Sequence, residues 1–191
     1  YRPDSPTRDY QESMIKAVGE ACMKYDIPFL LEPLAYPIGD EVGHPEIMAE
    51  RLPNLVIETA RQVTQMDIDV LKAEFPANVK YEKDEGKLLD FCRQLNEASR
   101  VPWVVLSAGV TFEVFAKQVE IACRAGASGF LGGRAIWQEA MDIKDKQERT
   151  KYLSSIVADR MERLAEIANK YGVPWYKKVE ATKGKRADVP E

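Results

Sequence analysis

The sequence predicts an α/β fold built on a parallel sheet, and three observations carry the prediction. Short apolar runs closed by proline or glycine alternate with longer segments whose apolar residues recur at helical spacing. The order is one helix, then four consecutive strand-then-helix units, then a further helix. Such alternation places crossover helices between parallel strands. The strand runs are also nearly continuous in apolar residues, the pattern of strands covered on both faces.

Taken in order, Tyr1 to Pro6 reads as a loop, and Arg8 to Tyr25 as a helix with Met14, Ile15, Val18, Ala21 and Cys22 on its apolar stripe. Ile27 to Glu32 is a short run closed by Pro33, expected as a buried parallel strand. A Gly/Pro/Asp loop leads to Pro45. Glu46 to Gln65 is helical, with Pro53 expected to break or kink it. Ile68 to Phe75 is the second strand, stopped by Pro76, and Asp84 to Ser99 is a helix with Leu88, Leu89, Cys92 and Leu95 inward. Trp103 to Ser107 is the third strand. Thr111 is placed to cap the next helix, which runs to Arg124 with Glu113 in its first turn. Ala125-Gly126-Ala127 turns into the last strand, Ser128 to Leu131. A short helix covers Ala135 to Met141, and a longer one spans Gln147 to Tyr171 with Ile156, Met161, Leu164 and Ile167 on one stripe. No period is visible beyond Gly172, and the segment from 177 to 191 is expected as a basic, flexible tail behind a domain ending at 176.

Two architectures share this order: a doubly wound open sheet and a barrel. No GxGxxG fingerprint and no Walker A motif is present. A complete barrel takes about 250 residues and eight strands. Four strands alone would leave two sheet edges and half a core exposed, so the chain is expected to be incomplete or to need a partner.

Composition narrows the function classes. The 191 residues carry a formal charge of -4 and a pI near 5.3, which argues against nucleic acid or an anionic membrane as partner. No apolar run can span a bilayer and no leader pattern opens the chain, so the cytoplasm is the expected compartment. Cys22, Cys92 and Cys123 are far apart within helical segments and are expected as free thiols. The single histidine, His44, lies in a turn-like loop and cannot build a His-rich zinc centre, so no metal and no cofactor is expected. Trp103, Trp137 and Trp175 have no spacing that suggests a stacking platform.

The carboxyl ends of parallel strands line the sites of such folds. Here they hold Glu32, Lys72 with Glu74, Ser107 with Gly109, and Gly132, Gly133 and Arg134. Lys72 is the sharpest candidate. Strand alternation puts Val70, Lys72 and Glu74 on one face. A desolvated lysine amine can attack a carbonyl, and a lysine paired with Glu32 or Glu74 for structural reasons would look the same in sequence. Glu32 is the candidate carboxylate to orient that amine and move protons, with Glu74 as possible support. Ser107-Ala108-Gly109-Val110 and Gly132-Gly133-Arg134 each lead into a helix, where small residues and backbone N–H groups suit a phosphate. Arg134 can add a forked grip; two glycine-rich turns with a surface arginine are the plainer alternative.

These residues also carry a family resemblance. Phe29-Leu30-Leu31-Glu32, Asp69-Val70-Leu71-Lys72-Ala73-Glu74, Leu106-Ser107-Ala108-Gly109-Val110 and Gly126 through Trp137 resemble, in order and spacing, the class I tagatose-1,6-bisphosphate aldolases. Sulfofructose-phosphate aldolase is a cousin of that family. The resemblance implies a (β/α)₈ TIM barrel of which this chain holds roughly strands five to eight with their helices and a C-terminal helix. It implies that Lys72 is the Schiff-base lysine and Glu32 the acid/base carboxylate. Ser107, Gly109 and Arg134 then fall in the stretches that hold a phosphate or sulfonate. The implied activity is metal-independent cleavage of a phosphorylated ketose, such as tagatose 1,6-bisphosphate, to dihydroxyacetone phosphate and an aldehyde, in a homo-oligomer. Other site residues of the family lie in its earlier strands. The loop from Pro33 to Pro45 departs from the tagatose enzymes, so the sugar is not carried over. A sulfofructose-phosphate aldolase and a non-catalytic sugar-phosphate-binding barrel are the alternatives.

Overall fold

A computed structural model of the chain describes residues 1–186, with side chains through Ala181. Its elements are α1 (Arg8–Lys24), β1 (Leu30–Leu31), α2 (Pro45–Val63), β2 (Val70–Ala73), α3 (Glu85–Ala98), β3 (Trp103–Leu106), α4 (Phe112–Arg124), β4 (Gly129–Leu131), α5 (Arg134–Trp137), α6 (Lys146–Tyr152), α7 (Ala158–Tyr171) and α8 (Trp175–Arg186). The four strands form one parallel sheet in the order β1-β2-β3-β4. A doubly wound sheet would reverse its strand order and place helices on both faces. Here each strand is added beside the last, so crossovers of one hand put their helices on one face. That is the arrangement of a (β/α)₈ barrel wall, and it decides between the two architectures.

The core lies between that face and the helices. Leu71, Ala73, Trp103 and Val105 are buried against Val56, Ala60 and Val63 of α2, Leu88, Cys92 and Leu95 of α3, and Phe115, Val119 and Ala122 of α4. The Trp103 indole N–H donates to the Asn96 side-chain oxygen at 3.1 Å, so the largest core residue has its polar atom satisfied. Alternate residues of the strands face the other way. Leu30 and Leu131 are exposed there and Lys72 is partly so, although Leu106 on the same side is buried.

Several local expectations change. Among the described residues the run Ile27 to Glu32 pairs as a strand at Leu30–Leu31 alone and has a neighbour on one side, which makes it an exposed edge strand. Most of the α1 stripe (Met14, Val18, Ala21) is exposed, and only Ile15 and Gly19 are buried. Helix α2 runs through Pro53 without a break. A mid-helix proline costs about 3 kcal/mol, and the buried Val56, Ile57, Ala60 and Val63 beyond it offset that loss. Thr111 occupies the α4 N-cap position but makes no side-chain capping hydrogen bond, whereas the Asp84 side chain caps α3 by accepting from the Lys87 N–H at 3.1 Å. The long C-terminal stripe is interrupted by a π-helical turn at Leu153–Val157 between α6 and α7, so only Leu164 is fully buried while Ile156 and Met161 are exposed. The basic segment begins inside α8, where the Lys178 amine donates to the Asn96 carbonyl at 2.9 Å; residues 187–191 of the expected tail lie outside the described residues.

Candidate active site

The register of β1 on β2 pairs Leu30 with Val70 and Leu31 with Leu71, which brings Glu32 level with Lys72. Their side chains meet on the face of the sheet opposite the helices: Lys72 Nζ donates to Glu32 Oε2 at 2.7 Å. Lys72 is 22% exposed and Glu32 40%, so the pair is reachable by a solute. The lysine is therefore not sealed in an apolar interior within this chain; it stands where an amine and a carboxylate can exchange a proton directly.

Glu74 is placed differently from the expectation. It lies one residue past the end of β2, where strict alternation stops applying. Its Oε2 accepts the Ala35 N–H at 2.6 Å, and Glu74 borders a small cavity with Pro33, Val56, Thr59, Leu71 and Ala73. Burial pushes its carboxyl above the usual range, with the Ala35 N–H opposing that shift.

The two candidate phosphate turns converge. After β3, Ser107 is buried and its carbonyl accepts the Val110 N–H at 3.1 Å. That closes a turn with Ala108 at φ 48° and Gly109 at φ 72°, two successive left-handed residues. Ala108 carries strain there that glycine would not. After β4, a side chain on Gly132 would have its first carbon 2.6 Å from Phe115 Cε1 and Ile136 Cδ1, so anything but glycine would force those side chains to shift. The first carbon of a side chain on Gly109 would lie 3.7 Å from Arg134 Cζ, which sets the guanidinium directly over that turn. Among the described residues the Arg134 guanidinium forms no hydrogen bond or ion pair, and the residue is exposed. Gly133 lies beside the Trp137 indole nitrogen. The sequence thus named residues that the fold gathers on successive strand ends: Glu32, Lys72, Ser107, Gly109, Gly132, Gly133 and Arg134.

One charged cluster was not legible in the sequence. The Arg2 guanidinium is bidentate to Asp4 (2.9 and 2.7 Å), donates to the Tyr36 carbonyl (2.8 Å) and pairs with both oxygens of Glu41. Glu41 also accepts from Ile38 N–H (3.0 Å) and Arg51 (3.1 Å), and Arg51 is bidentate to Asp40. The Arg2 contact holds the Glu41 carboxyl down to about 2. Loop arginines and glutamates are ordinarily solvated, and nothing local marks these as buried. His44 is exposed beside Glu46, as its loop suggested. Among the described residues, no three His, Cys, Asp or Glu side chains are placed to hold a metal ion, and no helix is long and apolar enough to cross a membrane.

Comparison with known proteins gives these features a family. The tagatose 1,6-diphosphate aldolase of Lactococcus lactis subsp. lactis is 33% identical over 187 residues, covering 88% of this chain and 57% of that protein. The enzyme of the same name from Listeria monocytogenes serotype 4a is 29% identical over 196 residues, covering 93% of this chain and 58% of its own length. The chain thus spans a little more than half the length of the relatives it matches. Two archaeal fructose-1,6-bisphosphate aldolase structures share the fold. One, with its catalytic lysine bound to a carbinolamine intermediate, superposes with a TM-score of 0.52 at 21% identity over 82% of this chain and 55% of that one. The other gives 0.54 at 23% with the same coverage. Residues 2–139 match the family described as DeoC/LacD family aldolase, and the chain belongs to that family.

Proposed function

We propose that this chain carries the Schiff-base centre of a class I aldolase that cleaves a phosphorylated ketose to dihydroxyacetone phosphate and an aldehyde. The observation that carries the reading is the Lys72–Glu32 pair at 2.7 Å on the open face of the strand ends. Adjacent strands lie about 4.8 Å apart, so the Gly109 turn is one strand and the Arg134 turn two strands from Lys72. A phosphate on C1 of a ketose bonded to Lys72 through C2 can reach that pair of turns. Backbone N–H groups and the Arg134 fork would grip it.

The chemistry follows from the placement. Glu32 takes a proton from the Lys72 ammonium, and the freed amine adds to the C2 ketone; loss of water leaves a protonated imine. The C3–C4 bonding electrons then move to C3, forming an enamine, while a base removes the C4 hydroxyl proton so that the aldehyde departs. Glu32 is the carboxylate in reach for that role. Protonation of C3 and hydrolysis of the imine release dihydroxyacetone phosphate and restore the amine. Tagatose 1,6-bisphosphate is the substrate suggested by the Lactococcus and Listeria relatives. We further expect a homo-oligomer without nucleic acid or membrane partners.

Trapping tests the reading. Borohydride added to the full-length protein with dihydroxyacetone phosphate should fix a three-carbon adduct on Lys72. Arg134→Ala should weaken the dependence on the phosphate while leaving trapping at high ligand. Absence of the adduct, or its survival in Lys72→Ala, would sink the assignment.

A further inference from the structure

Glu32 has little to hold it. It follows a strand of only two residues at the sheet edge, and Pro33 beyond it has no N–H to offer a neighbour. A side chain that must stay within hydrogen-bond reach of Lys72 therefore depends on the loop after it. That loop is tied at four nearly consecutive residues, the first being Leu34, whose carbonyl accepts from the Tyr1 amino group at 2.7 Å. The Ala35 N–H donates to Glu74, the Tyr36 carbonyl accepts from the buried Arg2, and the Ile38 N–H donates to the buried Glu41.

The Glu74 tie differs from the other three. It joins the loop to the strand that bears Lys72, two residues from Lys72 itself, so both halves of the Lys72–Glu32 pair rest on one scaffold. We propose that Glu74 is a positioning residue for the aldolase reaction: its side-chain oxygen pins Ala35 and thereby holds Glu32 against Lys72, acting as a hydrogen-bond acceptor and not through its charge. This inference rests on the proposed roles of Lys72 and Glu32. The placement of Glu74 over Pro33, Val56 and Thr59, away from the open face, keeps it off the reacting atoms. An acceptor suffices for the tie, because Ala35 needs only an oxygen, and a carboxyl group supplies one in either protonation state.

Two variants separate the tie from the charge. Glu74→Gln keeps an oxygen at the same reach; Glu74→Ala removes it and leaves the Ala35 N–H without its partner. In the full-length protein, Glu74→Ala should lower kcat by about 10²-fold, the scale of a misplaced reacting group. Borohydride trapping on Lys72 with dihydroxyacetone phosphate should persist in it. Glu74→Gln should keep kcat near the parent value with the same pH profile. Amide exchange at Ala35 should be about tenfold faster in Glu74→Ala than in the parent and Glu74→Gln, the loss of one hydrogen bond. A Glu74→Gln variant as impaired as Glu74→Ala would show that the charge matters and overturn the proposal. So would an unchanged kcat in Glu74→Ala, or an Ala35 amide in the parent that exchanges as fast as an exposed one. Failure of the underlying reading is distinct: the parent itself would then show no Lys72 adduct.

Discussion

Replacing Arg2 by methionine should destabilise the fold by about 3 kcal/mol at pH 7, the lower end of what removing one partner of a buried ion pair costs. The magnitude follows from what remains. Arg2 and Glu41 are 1% and 0% exposed, and the substitution deletes every guanidinium contact to Asp4, Tyr36 and Glu41. Glu41 keeps only the Ile38 N–H and one Arg51 donor, so its charge is partly compensated and not abandoned. Asp4 is half exposed and returns to water at little cost. Urea unfolding should report the loss, and for a chain of this size it corresponds to a melting point lower by roughly 6–12 °C. The pH dependence has a definite sign. In the parent the folded Glu41 carboxyl sits at about 2, below its ordinary 4.5. Its contribution is therefore complete above pH 4.5 and is lost as pH falls through 2. Without Arg2 the buried carboxylate can relieve itself by protonating, so the gap between variant and parent should narrow from pH 7 toward pH 4. Removing both partners in Arg2→Met/Glu41→Leu should cost less than Arg2→Met alone. An Arg2→Met variant within about 0.5 kcal/mol of the parent, or a double variant that is simply additive, would refute this account.

Two further outcomes follow from the packing. Burial pushes the Cys123 thiol up to about 11 and raises Cys92 as well, so at pH 8 an alkylating reagent should label half-buried Cys22 and reach the other two only on unfolding. Peptide mapping that found Cys92 or Cys123 modified in the native protein would contradict the burial. Gly132→Ala should cost about 1–3 kcal/mol by overpacking Phe115 and Ile136 and should displace the Arg134 turn, read as a urea midpoint shift together with a raised KM. An alanine tolerated without either change would mean that this turn has slack the close contacts deny.

The sequence by itself determined the elements and the side chains at the strand ends. Apolar periodicity is local, so the helices around Leu88, Phe115 and Leu164 and the strands around Leu71 and Val105 could be read from neighbouring residues. Lys72 and Arg134 stood out because charge interrupts those runs. The tertiary structure alone decided which residues meet. Glu32 and Lys72 are 40 positions apart, and only the β1–β2 register sets them at hydrogen-bond distance. Gly109 and Arg134 are brought together by the β3–β4 pairing, and the same geometry sends Glu74 to Ala35 in place of Lys72. The buried Arg2–Glu41 pair and the exposed stripe of α1 were illegible for one reason: burial depends on which segments pack together, and no single segment contains that information. Periodicity tells which side of an element is apolar; the fold decides what, if anything, covers it.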